Sequence, residues 1–186
     1  MVTFKETSMG AIFQNRVMEH KDKVLVRYKN KQGVWEDLSW NQMNEKVRNL
    51  GYYLLSQGVK PGEKIALFSP NRYEWWVADL AILSIGAVNV PIYATNSAQE
   101  SRYIIDNSDS IMCFAGTREH MDKVLSVKSD LPNLKQVIIF DGLRDKVPGV
   151  IDLATAMKQG SAYPKKDEFD ERLRPINIED VATIIY

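Results

Sequence analysis

Apolar residues recur every three or four positions over residues 7–19, and this spacing predicts a short amphipathic helix. Residues 23–29 and 34–38 instead alternate apolar and polar side chains on either side of a loop over residues 30–33. Alternation of this kind places one face of a strand on a core, and the glycine in the loop suits a reversal of the chain. The two stretches therefore predict a β-hairpin.

The strongest helical signal in the chain follows the hairpin. Ser39 and Gln42 have the spacing of a capping box, and Gly58 stands where a helix-terminating glycine is expected. The apolar positions between them recur at helical spacing: Trp40, Met43, Val47, Leu50 and Leu54. A helix with such a stripe needs a partner that covers it.

From residue 61 onward the pattern changes to strands that alternate with helices. The predicted strands cover residues 64–69, 88–93, 111–114 and 136–140, and the predicted helices begin at Asn71, Ser97, Thr117 and Ile151. Helices between strands supply the crossovers that parallel strands require. We therefore predict an α/β fold, in which a doubly wound, mostly parallel sheet with flanking helices follows a helix–β-hairpin–helix segment.

The change of pattern divides the chain into residues 1–60 and residues 61–186. Within the second part, nine of the 17 residues in 158–174 are charged, which indicates a solvated connection over the surface. Residues 181–186 have high strand propensity. Trp75 and Trp76 are flanked by apolar residues, a context typical of a helix in the core.

Charge and cysteine content narrow the class of protein. The chain has 24 Lys and Arg residues against 24 Asp and Glu residues, so it lacks the basic excess of a nucleic-acid-binding domain. A single cysteine excludes an intrachain disulfide, and residues 1–6 lack the apolar run of a signal peptide. The apolar residues 75–94 include Asp79 and Pro91 and predict no membrane span. We expect a cytoplasmic protein with no nucleic-acid partner, and peripheral membrane contact stays open.

Motifs for self-sufficient catalysis are absent from the sequence. It contains neither of the glycine-rich phosphate loops G-x-G-x-x-G and G-x-x-x-x-G-K-[ST], and it contains neither H-E-x-x-H nor G-x-S-x-G. With two distant histidines and one thiol, no metal site is predicted. Cys113 and His120 are residue types of a nucleophile and its base, but Cys113 lies in an apolar strand typical of a buried side chain. Residues 89–96 end a parallel strand, where open α/β sheets bind ligands.

Three segments carry a family resemblance. LSWNQM at 38–43 is similar to the pattern L-[ST]-Y-x-E-L, and LSIGAVNVPIY at 83–93 is similar to L-x-x-G-A-x-x-x-P-[ILV]. DVATIIY at 180–186 is similar to the residues that precede a loop of the form T-S-G-[ST]-T-G-x-P-K-G. In this order the segments resemble the amino-terminal third of the acyl-adenylate-forming enzymes, and most of all the bacterial long-chain fatty acid–CoA ligases (AMP-forming).

The resemblance implies an incomplete amino-terminal domain of the adenylate-forming fold. In that family the phosphate loop, the adenine-contacting segment, the magnesium-linked Glu, the ribose-binding Asp and the catalytic Lys all come later in the sequence. The chain is therefore expected to be a truncated fragment of a ligase that activates a fatty acid with ATP and Mg²⁺ and transfers it to CoA. The fragment itself is expected to bind no cofactor and to be inactive. On the residues alone, a stand-alone, non-catalytic α/β binding or scaffold module is the alternative.

The resemblance also implies a place where CoA approaches. In the family the turn after the P-I-Y strand lines the CoA groove, and Tyr93, Ala94 and Thr95 correspond to this turn. Arg118 lies in a segment that in some members supplies a cation to the CoA phosphate. These four residues are the predicted CoA-facing rim. The family fold further implies that residues 1–60 pack on a second, missing subdomain, so we expect the uncovered helix stripe and the terminal strand to cause self-association.

Overall fold

The computed structural model describes residues 7–30 and 32–186. Lys31 of the predicted hairpin loop lies outside the described residues, as do residues 1–6, on which the signal-peptide inference rested. In chain order the elements are α1 (Met9–His20), β1 (Val24–Lys29), β2 (Trp35–Ser39), α2 (Trp40–Ser56), β3 (Lys64–Phe68), α3 (Tyr73–Ser84), β4 (Val88–Ile92), α4 (Ala98–Asn107), β5 (Met112–Ala115), α5 (Arg118–Ser126), β6 (Gln136–Ile139), β7 (Val150–Asp152), α6 (Leu153–Ser161) and α7 (Asp167–Leu173).

Two capping boxes begin helices where the sequence predicts them. At the start of α2 the Ser39 side chain accepts the N–H of Gln42, and the Gln42 side chain accepts the N–H of Ser39 at 2.8 Å. Ser97 and Glu100 repeat this exchange at the start of α4. The N-cap of α3 lies one residue after the predicted Asn71, and no side chain caps that helix. Local capping chemistry thus places α2 and α4, whereas α3 is placed by packing.

Strands β3 to β7 form one parallel sheet in the order β4-β3-β5-β6-β7. The chain adds β4 on one side of β3 and then crosses over β3 to add the remaining strands on the other side. β1 and β2 pair separately as the predicted antiparallel hairpin. The α/β, doubly wound prediction is confirmed. The sequence did not predict the short strand β7, which pairs with β6 through residues 150–152. The helix predicted from Ile151 begins two residues later, after its N-cap Asp152.

Successive residues of the central strands point to opposite faces of the sheet, and both faces are buried. One face, which includes Ile65, Leu67 and Phe114, shares a core with α1, α2, α3, α6 and α7. The opposite face packs against α4 and α5 and includes Ala66 and Cys113. The two cores explain why the central strands are nearly continuous apolar runs.

The apolar stripe of α2 is covered within the described chain, and the expectation that it would be exposed is wrong. Met43, Val47, Leu50 and Leu54 are fully buried. Helices α1, α3, α6 and α7 pack against α2, and α6 approaches it closely at Gly160. The partners come from residues 9–20, 73–84 and 153–173, whose contribution cannot be recognised from the local pattern of α2. The proposed division of the chain at residue 60 stays a prediction.

Residues 158–174 are not only a solvated connection, as their charge suggested. They contain α7, whose Phe169 is fully buried against α2. Arg48 of α2 donates two hydrogen bonds to the carboxylate of Asp170, at 2.9 and 2.8 Å. This guanidinium lowers the pKa of Asp170 below its ordinary value. The charged tract thus contains a buried aromatic anchor next to an ion pair with α2.

The tryptophans of α3 differ from each other, and the core assignment of Trp76 is wrong. Trp75 packs partly buried against the core, whereas 48% of Trp76 is exposed. The buried side of α3 consists of smaller residues: Val77, Ala78, Ala81 and Ile82.

Across residues 7–30 and 32–186, none of the helices combines the length and the apolar character that crossing a membrane would need.

The segment 181–186 runs beside β4 but pairs with it at one point. The N–H of Asn89 donates to the carbonyl of Ala182, and the N–H of Ile184 donates to the carbonyl of Asn89, both at 3.0 Å. The next bond in a parallel ladder would need an N–H at residue 91, and this residue is Pro91. The predicted terminal strand is therefore extended, with its pairing limited to two hydrogen bonds.

Candidate functional site

The carboxyl ends of β3, β4 and β5 meet at the point where the strand order reverses. In doubly wound sheets this edge is the usual ligand-binding place, because the loops on its two sides diverge and leave a crevice. Here the loops are residues 69–72 after β3, 93–97 after β4 and 116–117 after β5. We therefore take this carboxyl edge as the candidate site.

The crevice between β3 and β5 holds an arginine of the protein. The Arg72 guanidinium donates to the carbonyl of Gly116 at 2.7 Å and to both carboxylate oxygens of Glu74, at 2.7 and 2.8 Å. Asp141, after β6, lies 3.4 Å away. At Gly116 a Cβ would lie 2.2 Å from the hydroxyl of Ser69, so only glycine fits there. This arginine clamp ties the loop after β3 to the residues after β5 and β6, and the sequence motifs gave no sign of it.

His120 connects α5 to the turn after β4. Its Nε2 lies 3.1 Å from the carbonyl of Ala94, and its Nδ1 lies 2.6 Å from the hydroxyl of Thr117. The ring is 5% exposed and stands edge-on to Phe68. With Nε2–H donating to Ala94 and Nδ1 accepting from Thr117, a neutral ring satisfies both partners. His120 thus acts as a strut that positions the turn.

The four residues of the predicted rim lie at this edge, and His120 brings them together. Tyr93 is 69% exposed, Thr95 is exposed, and the N–H of Asn96 closes the turn on the carbonyl of Tyr93 at 2.9 Å. Ala94 presents its carbonyl to His120. Arg118 begins α5, and its exposed guanidinium pairs with Asp122 at 2.9 Å. The turn after β4 thus carries an exposed ring, and the start of α5, tied to this turn through His120, carries an exposed cation.

Cys113 and His120 do not form a nucleophile and base. Cys113 is fully buried in β5, and its Sγ donates to the carbonyl of Phe114 at 3.5 Å. Burial raises the pKa of the thiol to about 12, so the reactive thiolate is not formed at neutral pH. His120 is bonded to other partners. The interpretation of Cys113 as a small buried hydrophobe agrees with its surroundings.

In the part of the chain that the structure describes, no three His, Cys, Asp or Glu side chains form a group that could hold a metal ion.

A cavity of about 740 Å³ opens at the opposite edge of the sheet, between the start of α1, the amino ends of β3 and β4, and residues 175–184. Its lining is mainly apolar, with Lys64 and Arg172 among its polar groups. It shares no residue with the predicted rim.

The sequence matches a known family and several curated relatives. Residues 13–186 match the family described as AMP-binding enzyme. The long-chain-fatty-acid–CoA ligase FadD15 of Mycobacterium bovis is 34% identical over 154 residues, which are 83% of this chain and 25% of that protein. A long-chain-fatty-acid–CoA ligase of Xenopus laevis, ACSBG2, is 27% identical over 94% of this chain and 24% of its own length. The chain spans about a quarter of the length of these relatives.

Solved structures show the same fold. The coronafacic acid ligase of Pectobacterium brasiliense superposes with a TM-score of 0.81 at 20% identity, over 96% of this chain and 33% of that one. The anthranilate CoA ligase AuaEII, in complex with anthranoyl-AMP, gives a TM-score of 0.77 at 16% identity, over 95% and 31% of the two chains. The likeness covers nearly the whole chain and confirms the α/β architecture.

Proposed function

Because the chain belongs to the family of AMP-binding enzymes, we propose that it forms the amino-terminal part of an acyl-CoA ligase. In this proposal the parent enzyme activates a long-chain fatty acid with ATP and Mg²⁺ as an acyl-adenylate and then transfers the acyl group to CoA. The observation that carries the proposal is the 34% identity, over most of this chain, to a protein named as a long-chain-fatty-acid–CoA ligase. It works in the cytoplasm, in keeping with a single, buried cysteine.

The role of this chain within the ligase is to build and position one wall of the site rather than to perform the chemistry. Adenylation develops charge on phosphate oxygens, which a metal ion and aimed donors must stabilise. At the carboxyl edge the arginine best placed for such a role, Arg72, is already bonded to Glu74 and the carbonyl of Gly116. Arg72 is therefore not free to stabilise charge on a phosphate, and we propose that the chain is inactive by itself.

The rim of Tyr93, Ala94, Thr95 and Arg118 faces CoA in the proposed ligase. A CoA phosphate would compete with Asp122 for the Arg118 guanidinium, and charge-assisted hydrogen bonds to phosphate favour such an exchange. The exposed ring of Tyr93 offers an apolar surface beside the open turn. Because His120 ties the turn to α5, these groups keep their spacing when CoA approaches.

We also propose that the isolated chain self-associates, through the terminal segment rather than the α2 stripe. Val181 and Ile185 are 62% and 70% exposed, and residues 181–186 have no charged side chain. An extended apolar segment at a sheet edge is a template for pairing with another strand. Light scattering over a hundredfold dilution should show a mass that falls toward one chain, and a constant single-chain mass would contradict this proposal.

The inactivity proposal has a direct test. Incubated with ATP, Mg²⁺ and a long-chain fatty acid, the 186-residue chain is expected to release no pyrophosphate above a protein-free control. A full-length ligase serves as the positive control for the same assay. Fatty-acid-dependent pyrophosphate release by this chain would contradict the proposal that it is inactive without the rest of the ligase.

The ligase and its CoA rim are tested in a chimera, in which residues 13–186 replace the matching segment of the Mycobacterium bovis relative. We expect the chimera to retain fatty-acid-dependent ATP–pyrophosphate exchange. Arg118→Ala and Tyr93→Ala should each leave this exchange unchanged and raise the KM for CoA about tenfold. That is the order of one lost charge-assisted hydrogen bond for Arg118 and of one lost apolar contact for the Tyr93 ring. Arg174→Ala, on an exposed arginine of the 158–174 tract, is the matched control. A folded chimera without exchange activity contradicts the proposal that the parent is a ligase. An unchanged KM for CoA in the two variants contradicts only the proposed CoA-facing rim.

A further inference from the structure

A carboxyl–amide pair, with Asn89 buried and Asp79 half-buried, lies between α3 and β4, outside the proposed CoA rim. Asn89 donates through Nδ2 to the carboxyl Oδ1 of Asp79 at 2.7 Å, and Asn89 is 1% exposed. The Oδ1 of Asn89 is buried and has no hydrogen-bond partner among the described residues. A buried acceptor without a donor is costly, so this oxygen requires a donor from a neighbour.

Asp79 supplies such a donor when its carboxyl is protonated. Burial raises the pKa of Asp79 above its ordinary value, and the hydrogen bond from Asn89 opposes this only in part. Asn89 is the polar side chain bonded to the carboxyl; within residues 7–30 and 32–186 no Lys, Arg or His pairs with it, and no neighbouring charge contributes to its shift. A protonated carboxyl both donates and accepts, as an amide does, so the two groups can satisfy each other.

The same asparagine holds the terminal segment through its main chain. Its N–H and its carbonyl make the two hydrogen bonds that fix residues 182–184 on β4. Thr183 is its bridge partner, so the Thr183 side chain lies beside Asn89 on the face that α3 covers. Pro91 prevents the next bond of the ladder. The backbone of residues 182–184 is thus held on β4 by the two hydrogen bonds to Asn89, whereas side-chain contacts of Ile184 with the core and of Tyr186 with Asn107 are separate from them.

We propose that protonated Asp79 and Asn89 form a clasp that holds residues 182–184 on the edge of β4, and that ionisation of Asp79 releases this segment. An ionised carboxylate cannot donate to Oδ1 of Asn89, and it requires hydration in place of the lost pair. Water reaches the pair from the outer edge of β4 when the segment lifts. Release therefore exchanges two backbone hydrogen bonds for a hydrated carboxylate and a free edge of β4.

The direction of the pH dependence follows from proton linkage. The closed form binds the Asp79 proton more tightly than the open form, so a rise in pH favours the open form. The opening equilibrium constant is constant below the ordinary Asp pKa of about 4, which applies to the open form. Between that value and the raised pKa of the closed form it increases about tenfold per pH unit, and above the raised pKa it is constant again.

Amide hydrogen exchange of the 186-residue chain, followed by NMR from pH 4 to pH 7.5, measures this opening. The readout is the protection factor of the Ile184 N–H, which divides out the intrinsic pH dependence of exchange. We expect it to fall about tenfold per pH unit within the window. In Asp79→Asn an amide both donates to and accepts from Asn89 at every pH, so protection should stay at its low-pH value. Asp106→Asn removes an exposed carboxylate of α4 and should keep the wild-type profile.

Three results would overturn the clasp: an Ile184 amide without protection at pH 4, a protection factor that is flat with pH in the wild type, or a pH dependence that persists in Asp79→Asn. If Asp79→Asn does not fold, ¹³C titration of the Asp79 carboxyl in the wild-type chain decides. A pKa at or below about 4 would exclude the protonated pair. None of these readouts involves ATP, fatty acid or CoA, so the outcome is separate from that of the ligase proposal.

Discussion

Replacing Gly160 by alanine is expected to destabilise the chain by about 3 kcal/mol, the upper range for adding a methyl group to a tightly packed site. Gly160 lies in α6, where the helix meets α2. A Cβ at this position would lie 1.9 Å from the backbone oxygen of Asn49 and 2.8 Å from the backbone N of Tyr53. Backbone atoms inside a helix cannot rotate away as a side chain does. The two helices would have to separate, and the buried stripe of α2 would lose its cover.

The intrinsic preference of helices works in the opposite direction, which makes the sign of this result informative. In an open helical position Gly→Ala stabilises by about 1 kcal/mol. Gly142→Ala is the matched control, because a Cβ added at Gly142 would meet no atom within 4 Å and the change in stability should stay within about 0.5 kcal/mol. Denaturant midpoints of the two variants decide the question. A Gly160→Ala chain as stable as the wild type would mean that α6 does not pack on α2 this closely.

The elements that sequence pattern predicted best are those whose signal is local. The capping boxes at Ser39 and Ser97 form within one turn of helix, so residue identity alone is sufficient to place them. The parallel sheet follows from apolar runs separated by helices. By contrast, the helices that cover the α2 stripe include α6 and α7, about a hundred residues later in the chain. Nothing in the periodicity of α2 identifies them, and the family resemblance placed the partner of the stripe in a missing subdomain.

The candidate site shows the same division between local and distant signals. The turn at Tyr93–Thr95 was predicted from a strand end followed by a capped helix, aided by the family resemblance. The strut His120 and the clamp Arg72 were missed, because each bonds a carbonyl group on another loop. A backbone acceptor has no sequence signature. One signal was available for the strut: a histidine three residues after a helix-opening threonine, at the same edge of the sheet.

Phe169→Ala is the second change with a large expected effect, about 3–5 kcal/mol for loss of a fully buried aromatic ring. The ring packs on Gly51, where an added Cβ would lie 2.4 Å from a ring carbon, and edge-on to Tyr52. The Arg48 guanidinium lies 4.6 Å from the ring centre while it pairs with Asp170. Removing the ring therefore leaves a cavity that neighbouring groups cannot fill without breaking this pair.

The stability of Phe169→Ala shows whether residues 158–174 help to hold the fold together or only form a solvent-exposed connection. If residues 158–174 were only a surface connection, Phe169→Ala would change the free energy of unfolding by no more than about 0.5 kcal/mol. Ile178→Ala provides that reference, since its side chain is 86% exposed and follows the same tract. Urea unfolding of both variants, monitored by far-UV circular dichroism, gives the two free energies. We expect them to differ by several kcal/mol, because Phe169 is the buried anchor that fixes α7 on α2.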